Sequence, residues 1–193
     1  MKNTDFNKLA KEVYEKAKGK GFYNEKNTDG HYIMLILCEL AEAVEADRSG
    51  KRADRKTYEF LSKDYGDVLK PHLFEMHIKD TVEDEIADAI IYLLSYVGMK
   101  GFEITDDYIT EENIERTLDS TFRTEEWSEL KTFAERVYVS CVYNLATMGD
   151  NIPEATIYST FAIAKLYDID LMWFVREKMK YNDQREFLHG KAY

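Results

Sequence analysis

The chain has 193 residues, 45% of them apolar and 33% charged, which suits a globular domain with a sizeable core and argues against wholesale disorder. Its 26 Lys and Arg against 37 Asp and Glu give a net charge of −11. A nucleic acid polymer, whose binding needs dense basic residues, is therefore not the expected partner. An anionic small ligand is expected only where a cation stands between it and the acids.

The longest apolar run, Tyr32 to Cys38, is too short to span a bilayer, and the opening MKNTDFNKLAKE lacks the apolar stretch of a signal peptide. The two cysteines, Cys38 and Cys141, make neither a disulfide framework nor a CxxC site. These features predict a protein with no membrane partner in a reducing, cytoplasmic setting.

Nine Gly and two Pro leave few breakers, and apolar residues recur at three- and four-residue spacing rather than alternating. The pattern predicts a helix from about Thr4 to Lys18, closed by Gly19 and Gly21, and a second from Gly30 to Arg48, closed by Gly50. The polar, aromatic-spotted stretch from Lys51 to Lys79, interrupted by Gly66 and Pro71, has room for one or two short helices. Thr81 is a candidate N-cap with Asp84 three residues on, as in a capping box, for a helix running to Val97 and stopping at Gly98 and Gly101. A short helix follows near Asp106 to Leu118, then a long one from Glu125 to Met148. The turn Gly149 to Pro153 ends that helix and starts another, and the last begins near Asp170 and continues past Arg185. The sum is a single all-α domain over residues 1–193, with short connections between antiparallel neighbours. Residues 154–159 (EATIYS) align with 83–88 (EDEIAD), with Thr156 and Ser159 where the earlier copy has acids. This is either a degenerate duplication or a chance likeness between amphipathic helices.

The chemistry-bearing feature is where certain acids sit. In YIMLILCELAEAVEA, at about 100° per residue, Ile33, Leu37, Leu40 and Val44 form an apolar stripe. Glu39 and Glu42 share the opposite side with Leu35 and Ala46. In VEDEIADAIIYLLSYV the stripe is Val82, Ile86, Ala89, Ile90, Leu93 and Val97, with Glu85, Asp88 and Tyr92 along its edge. Glu83 and Asp84 fall in the first turn, where acids complement the helix dipole. If the helices pack face to face, Glu39, Glu42, Glu85 and Asp88 converge, and no Lys/Arg run lies nearby in sequence to neutralise them. A hard divalent cation with an all-oxygen shell is a natural counter-ion, and ordinary solvated acids are the alternative.

Near the C-terminus, Lys178, Asn182, Arg185 and, if the helix persists, His189 fall within about 60° of one another on a helical wheel. Such a stripe can receive phosphate oxygens, or it can simply suit a helix C-terminus. His189 and Lys191 follow it less directly. Candidate base contacts are Tyr92, on the Glu85/Asp88 face, and Tyr23 and His31. His72, Glu75 and His77 do not match a zinc spacing, and Cys38 reads as a packed thiol.

Glu39-x-x-Glu42 followed by Glu85-x-x-Asp88, each within an apolar helix, resembles the ExxE…ExxD signature of the MazG-like all-α nucleoside triphosphate pyrophosphohydrolases. That superfamily includes the dimeric dUTPases and the dCTP pyrophosphatases. The segments KAKGKGFY (16–23), LCELAEAVEADRSGKRAD (37–54), KDTVEDEIADAIIYLL (79–94) and KMKYNDQREFLHGKAY (178–193) resemble recurring stretches of its longer members. Residues 101–171 resemble them only weakly. The resemblance implies a MazG-like antiparallel helical bundle with extra helices, a homodimer or homotetramer, and Mg²⁺ (or Mn²⁺) held by Glu39, Glu42, Glu85 and Asp88. It implies Lys178, Asn182 and Arg185 on the triphosphate, and cleavage of a nucleoside triphosphate, a dNTP or a non-canonical one, to monophosphate and pyrophosphate. Glu42 or Glu39 would orient or deprotonate the water. Two departures stand out. Cys38 replaces an acid that many members carry before the first ExxE, and the gap from Glu42 to Glu85 is longer than in compact members. The competing expectations are a catalytically idle MazG-fold protein that binds a nucleotide or a protein, and a carboxylate-bridged di-metal bundle. The second would need two Glu-x-x-His motifs, and the chain has only Glu186-x-x-His189.

Overall fold

The computed structural model describes residues 4–24, 27–66, 68–105, 108–119, 124–147 and 153–190; the side chains of 65, 189 and 190 stand outside that description. These residues form helices α1 (Phe6–Gly19), α2 (Asp29–Arg48), α3 (Arg55–Tyr65), α4 (Lys70–His77), α5 (Val82–Lys100), α6 (Glu111–Thr117) and α7 (Glu125–Ser128). They continue with α8 (Phe133–Val137), a π-helical turn (Tyr138–Val142), α9 (Tyr143–Thr147), α10 (Glu154–Leu166), α11 (Leu171–Gln184) and a 3₁₀ turn (Phe187–Gly190). The protein is all-α, with no strand among the described residues. No helix among them is long and apolar enough to cross a membrane.

The hub is α5, around which α1, α2 and α11 pack. Its apolar residues go most of the way round: Val82, Ile86, Ala87, Ala89, Ile90, Leu93, Leu94 and Val97 are all buried. A helix apolar on every side belongs in an interior. Its polar residues are therefore buried with it, and that decides the chemistry below. Helix α1 buries Phe6, Leu9, Ala10 and Val13, the i, i+3, i+4, i+7 stripe of an amphipathic helix, behind an Asp5 N-cap that accepts from the Lys8 N–H at 2.8 Å.

Several elements differ from the sequence expectation for identifiable reasons. Helix α5 passes through Gly98 and stops at Gly101, whose φ of 66° is left-handed. Gly98 is a contact residue instead: a Cβ there would lie 2.5 Å from the Ala10 carbonyl oxygen and 2.7 Å from the Tyr14 Cβ of α1. Gly98→Ala gains about 1 kcal/mol of helix propensity. It must also push two helix backbones apart, so a net destabilisation of about 1–3 kcal/mol is expected from denaturant melts.

The expected long helix from 125 splits, because Thr132 caps α8 reciprocally with Glu135. The last helix ends at Gln184, with Arg185 extended, so it does not continue past Arg185. The stretch from Lys51 to Lys79 holds two short helices as expected, α3 and α4, with Pro71 in the first turn of α4. On α2 the buried stripe is Tyr32, Ile36, Leu40, Ala43 and Ala46, and it includes Glu39; Ile33, Leu37 and Val44 are only half-buried. Cys38, expected to be packed, is exposed, and Cys141 is buried.

Helix α10 packs on α5 and α8 on α2. The segment echoing α5 thus lies inside the bundle, with Thr156 buried and Ser159 half-buried.

Candidate functional site

Between α1, α2, α5 and α11 lies a cavity of about 280 Å³. Glu39 and Glu42 of α2, Glu85 and Asp88 of α5, and Lys178, Asn182 and Arg185 of the C-terminal segment all line it. Two acid pairs and one donor stripe, far apart in sequence, meet here. The acids arrive because α2 and α5 pack along their lengths with Glu39 on the buried stripe of α2. One carboxylate oxygen from each of Glu39, Glu85 and Asp88 fits within a sphere of contacts no wider than 4.8 Å. Glu42 is exposed at the cavity edge and lies outside this tight triad. The three clustered carboxylates have the hard-oxygen chemistry and the closeness that a divalent cation requires, so the residues present fit a hard divalent cation.

The electrostatics point the same way. Burial pushes the Glu85 carboxyl up to about 8, reinforced by the charges of Asp84, Asp88 and Glu42 and opposed by Lys178. Without a metal, Glu85 is therefore mostly protonated at pH 7. Its folded-state pKa exceeds the unfolded value of 4.5, so the folded chain holds the extra proton. The resulting stabilisation is full below that value, is lost as pH rises towards about 8, and does not return above it. In EDTA, stability is expected to fall by about 3–5 kcal/mol from pH 5 to pH 9 on account of this residue. Glu85→Gln should flatten that slope in denaturant melts, and saturating Mg²⁺ should restore the wild type at high pH.

Asp84, expected as the capping-box partner of Thr81 and as a first-turn acid that complements the helix dipole, is buried and joined to the site through Lys178. It is 1% exposed and accepts from the Asp80 N–H at 3.1 Å. The Thr81 cap forms, with Thr81 Oγ1 accepting from the Asp84 N–H at 3.4 Å, but the reciprocal carboxylate bond goes to Asp80 rather than to Thr81. Lys178 donates to both Asp84 oxygens at 2.8 Å and lies 2.7 Å from Asp88 Oδ2. Burial works against the Lys178 charge, but Asp88 and Asp84 outweigh it and hold the ammonium protonated beyond the ordinary lysine range. Burial also raises Asp84, to about 6, despite Lys178, so at neutral pH the pair is ionic.

The acids therefore do have an internal counter-charge, delivered by α11 from far along the chain. Lys178, expected on phosphate, spends its N–H groups on carboxylates. Asn182 is half-buried, with an Oδ1 that is buried and has no hydrogen-bond partner. Arg185 has left the helix but still lines the cavity, with its guanidinium 5.8 Å from the Tyr181 ring centre. The His189 side chain and Lys191 lie outside the described residues; the backbone at His189 is in the 3₁₀ turn, off the α-helical stripe.

Lys16, Lys20 and Lys79 also line the cavity, and sequence reasoning singled out none of them. Lys16 pairs with Asp183 at 2.6 Å, and Lys20 donates to the Asp183 carbonyl at 2.9 Å, tying α1 to the end of α11.

The other end of the cavity is apolar and aromatic, with Val13, Ala17, Phe22, Tyr23, Ile91 and Tyr92 on its wall. Tyr92 is held above the ordinary phenol range by burial, then by Glu39 and Asp88. Tyr23 hydrogen-bonds Ser95 at 2.6 Å and stacks on Tyr32. His31, expected beside them, does not line the cavity; its ring packs edge-on against Tyr32, 5.2 Å away. Trp173 sits under Arg55 outside it.

No protein-family model, curated protein or solved structure matches this chain.

Proposed function

We propose that the protein is a Mg²⁺-dependent nucleoside triphosphate pyrophosphohydrolase of the MazG-like kind. The observation that carries this reading is one cavity with a buried triad of carboxylates, a rim of lysine and arginine, and an aromatic wall. A nucleotide has the three matching parts: phosphates for the charged end, a sugar, and a flat base for the aromatic end. On a protein of net charge −11, phosphates approach these acids only with a cation between them.

Glu39, Glu85 and Asp88 would hold Mg²⁺, which when bound draws in the phosphates and neutralises charge developing on the leaving pyrophosphate. Glu42, which lines the cavity outside the triad, would orient or deprotonate a water. Arg185 and the Lys16, Lys20 and Lys79 side chains would meet phosphate oxygens, with the Asn182 amide turned to a hydroxyl or an oxygen of the substrate. Tyr92 and Tyr23 would face the sugar or base. A homodimer or homotetramer belongs to the same proposal. The exposed apolar side chains of Met34, Tyr138, Val139 and Tyr143 are surface that such assembly could cover.

The test is pyrophosphate release from a panel of canonical, deoxy and modified nucleoside triphosphates with Mg²⁺ and with EDTA. Release that needs Mg²⁺ supports the proposal, and the preferred base names the substrate. Mg²⁺ binding with no release from any nucleotide would point to an idle protein that only binds its ligand.

A further inference from the structure

The acidic cluster already contains a cation of the protein's own. Lys178 lies in phase with Leu171, Phe174, Val175 and Tyr181 on the buried side of α11, and its side chain is 4% exposed. An ammonium carries three N–H donors. Two go to the oxygens of Asp84 and the third to Asp88 Oδ2, so all are committed. Asp84 is fixed in turn by the Asp80 N–H and by its place in the first turn of α5. Asp88 thus belongs to two cationic positions. The Lys178 ammonium occupies one, and the triad with Glu39 and Glu85 forms the other.

Sites that hold two divalent ions keep them about 3.5–4 Å apart by sharing carboxylates. Asp88 is the member of the triad that also touches Lys178, at 2.7 Å, and a second ion bridged through it would press against the ammonium. Glu42, exposed and outside the triad, does not make a second closed set of ligands. We propose that Lys178 stands in for a second metal ion, and that the protein by itself takes one divalent cation, at Glu39, Glu85 and Asp88. Asp84 is a positioning residue: by holding two of the three N–H groups, it fixes the ammonium against Asp88 and keeps it out of the triad. This inference rests on the metal site of the proposed function, and it adds the count of ions and the group that sets it.

The test is a titration of the full chain with Mn²⁺ in the absence of nucleotide, read by calorimetry and by electron paramagnetic resonance. The expected result is one Mn²⁺ per chain with the signal of an isolated ion. Lys178→Met, which removes the charge at similar length, should take up a second Mn²⁺ and show the broadened signal of a coupled pair. Asp84→Asn, whose remaining Oδ1 still accepts one Lys178 N–H, should still take one, with affinity reduced about tenfold because the charge that offsets the ammonium is gone. Two coupled Mn²⁺ ions in the wild type would overturn the inference while leaving the metal site standing. So would one ion of unchanged affinity in Lys178→Met. No Mn²⁺ on the wild type would remove the metal site itself, and this inference with it. If Lys178→Met fails to fold, the count and signal of the wild type decide.

Discussion

Lys178→Ala is expected to destabilise the metal-free protein by about 3–5 kcal/mol, the range seen when one partner of a buried ion pair is removed. The pair costs desolvation on both sides, and its net contribution to stability is modest. Removing the lysine takes from Asp84, 1% exposed, and from the neighbouring Asp88 the ammonium they share, so much of the desolvation cost of the acids appears. Asp84→Ala should cost less, because Lys178 keeps Asp88 as a partner. Lys180→Ala, which takes an exposed lysine from the largely covered Glu177 on the same helix, should cost about 1 kcal/mol or less. Urea melts of the three variants in EDTA check the order. Mg²⁺ should recover more stability in Lys178→Ala than in the wild type, since it then neutralises acids that the lysine no longer serves.

Asp88→Asn and Glu39→Gln are each expected to lower Mg²⁺-dependent turnover by about 10³-fold or more, equivalent to roughly 4 kcal/mol of transition-state stabilisation. Both changes keep size and hydrogen-bonding capacity but remove the charge that holds the cation. Glu39 lies on the buried stripe of α2, so neutralising it should not unfold the chain. Circular dichroism of both variants should remain helical while turnover disappears. Glu42→Gln should fall less steeply in Mg²⁺ affinity than in kcat, because Glu42 stands outside the triad.

The all-α class and the convergence of the two acid pairs were legible in the sequence because α2 and α5 are apolar around helices that still carry acids at i, i+3. The buried face of α2 is not legible from the sequence alone. Ile33, Leu37 and Val44 are as apolar as the residues that are buried, and only packing against α5 selects Tyr32, Ile36 and Leu40. The burial of Asp84 is hidden in the sequence because first-turn acids are ordinarily solvated. On a helix apolar on every side, that turn is interior too. The signal that could have found its partner was present. Lys178 falls in the i, i+3, i+7 register of Leu171, Phe174 and Tyr181, and a lysine on an apolar stripe requires a buried carboxylate. Lys16, Lys20 and Lys79 carry no such pattern. They reach the cavity through the crossing of α1 and the turn before α5, a tertiary fact with no local trace. The split of the long helix at Thr132 was readable as Thr-x-x-Glu, but the unbroken run of helix-forming residues around it hid the cap.

The most direct measurement is ³¹P NMR of a preferred nucleoside triphosphate incubated with the wild type and with Asp88→Asn in Mg²⁺, and with the wild type in EDTA. The expected spectrum shows monophosphate and pyrophosphate from the wild type in Mg²⁺ and intact substrate from the other two. Diphosphate with orthophosphate, or the same products from Asp88→Asn or in EDTA, would contradict a pyrophosphohydrolase whose metal is held by Glu39, Glu85 and Asp88.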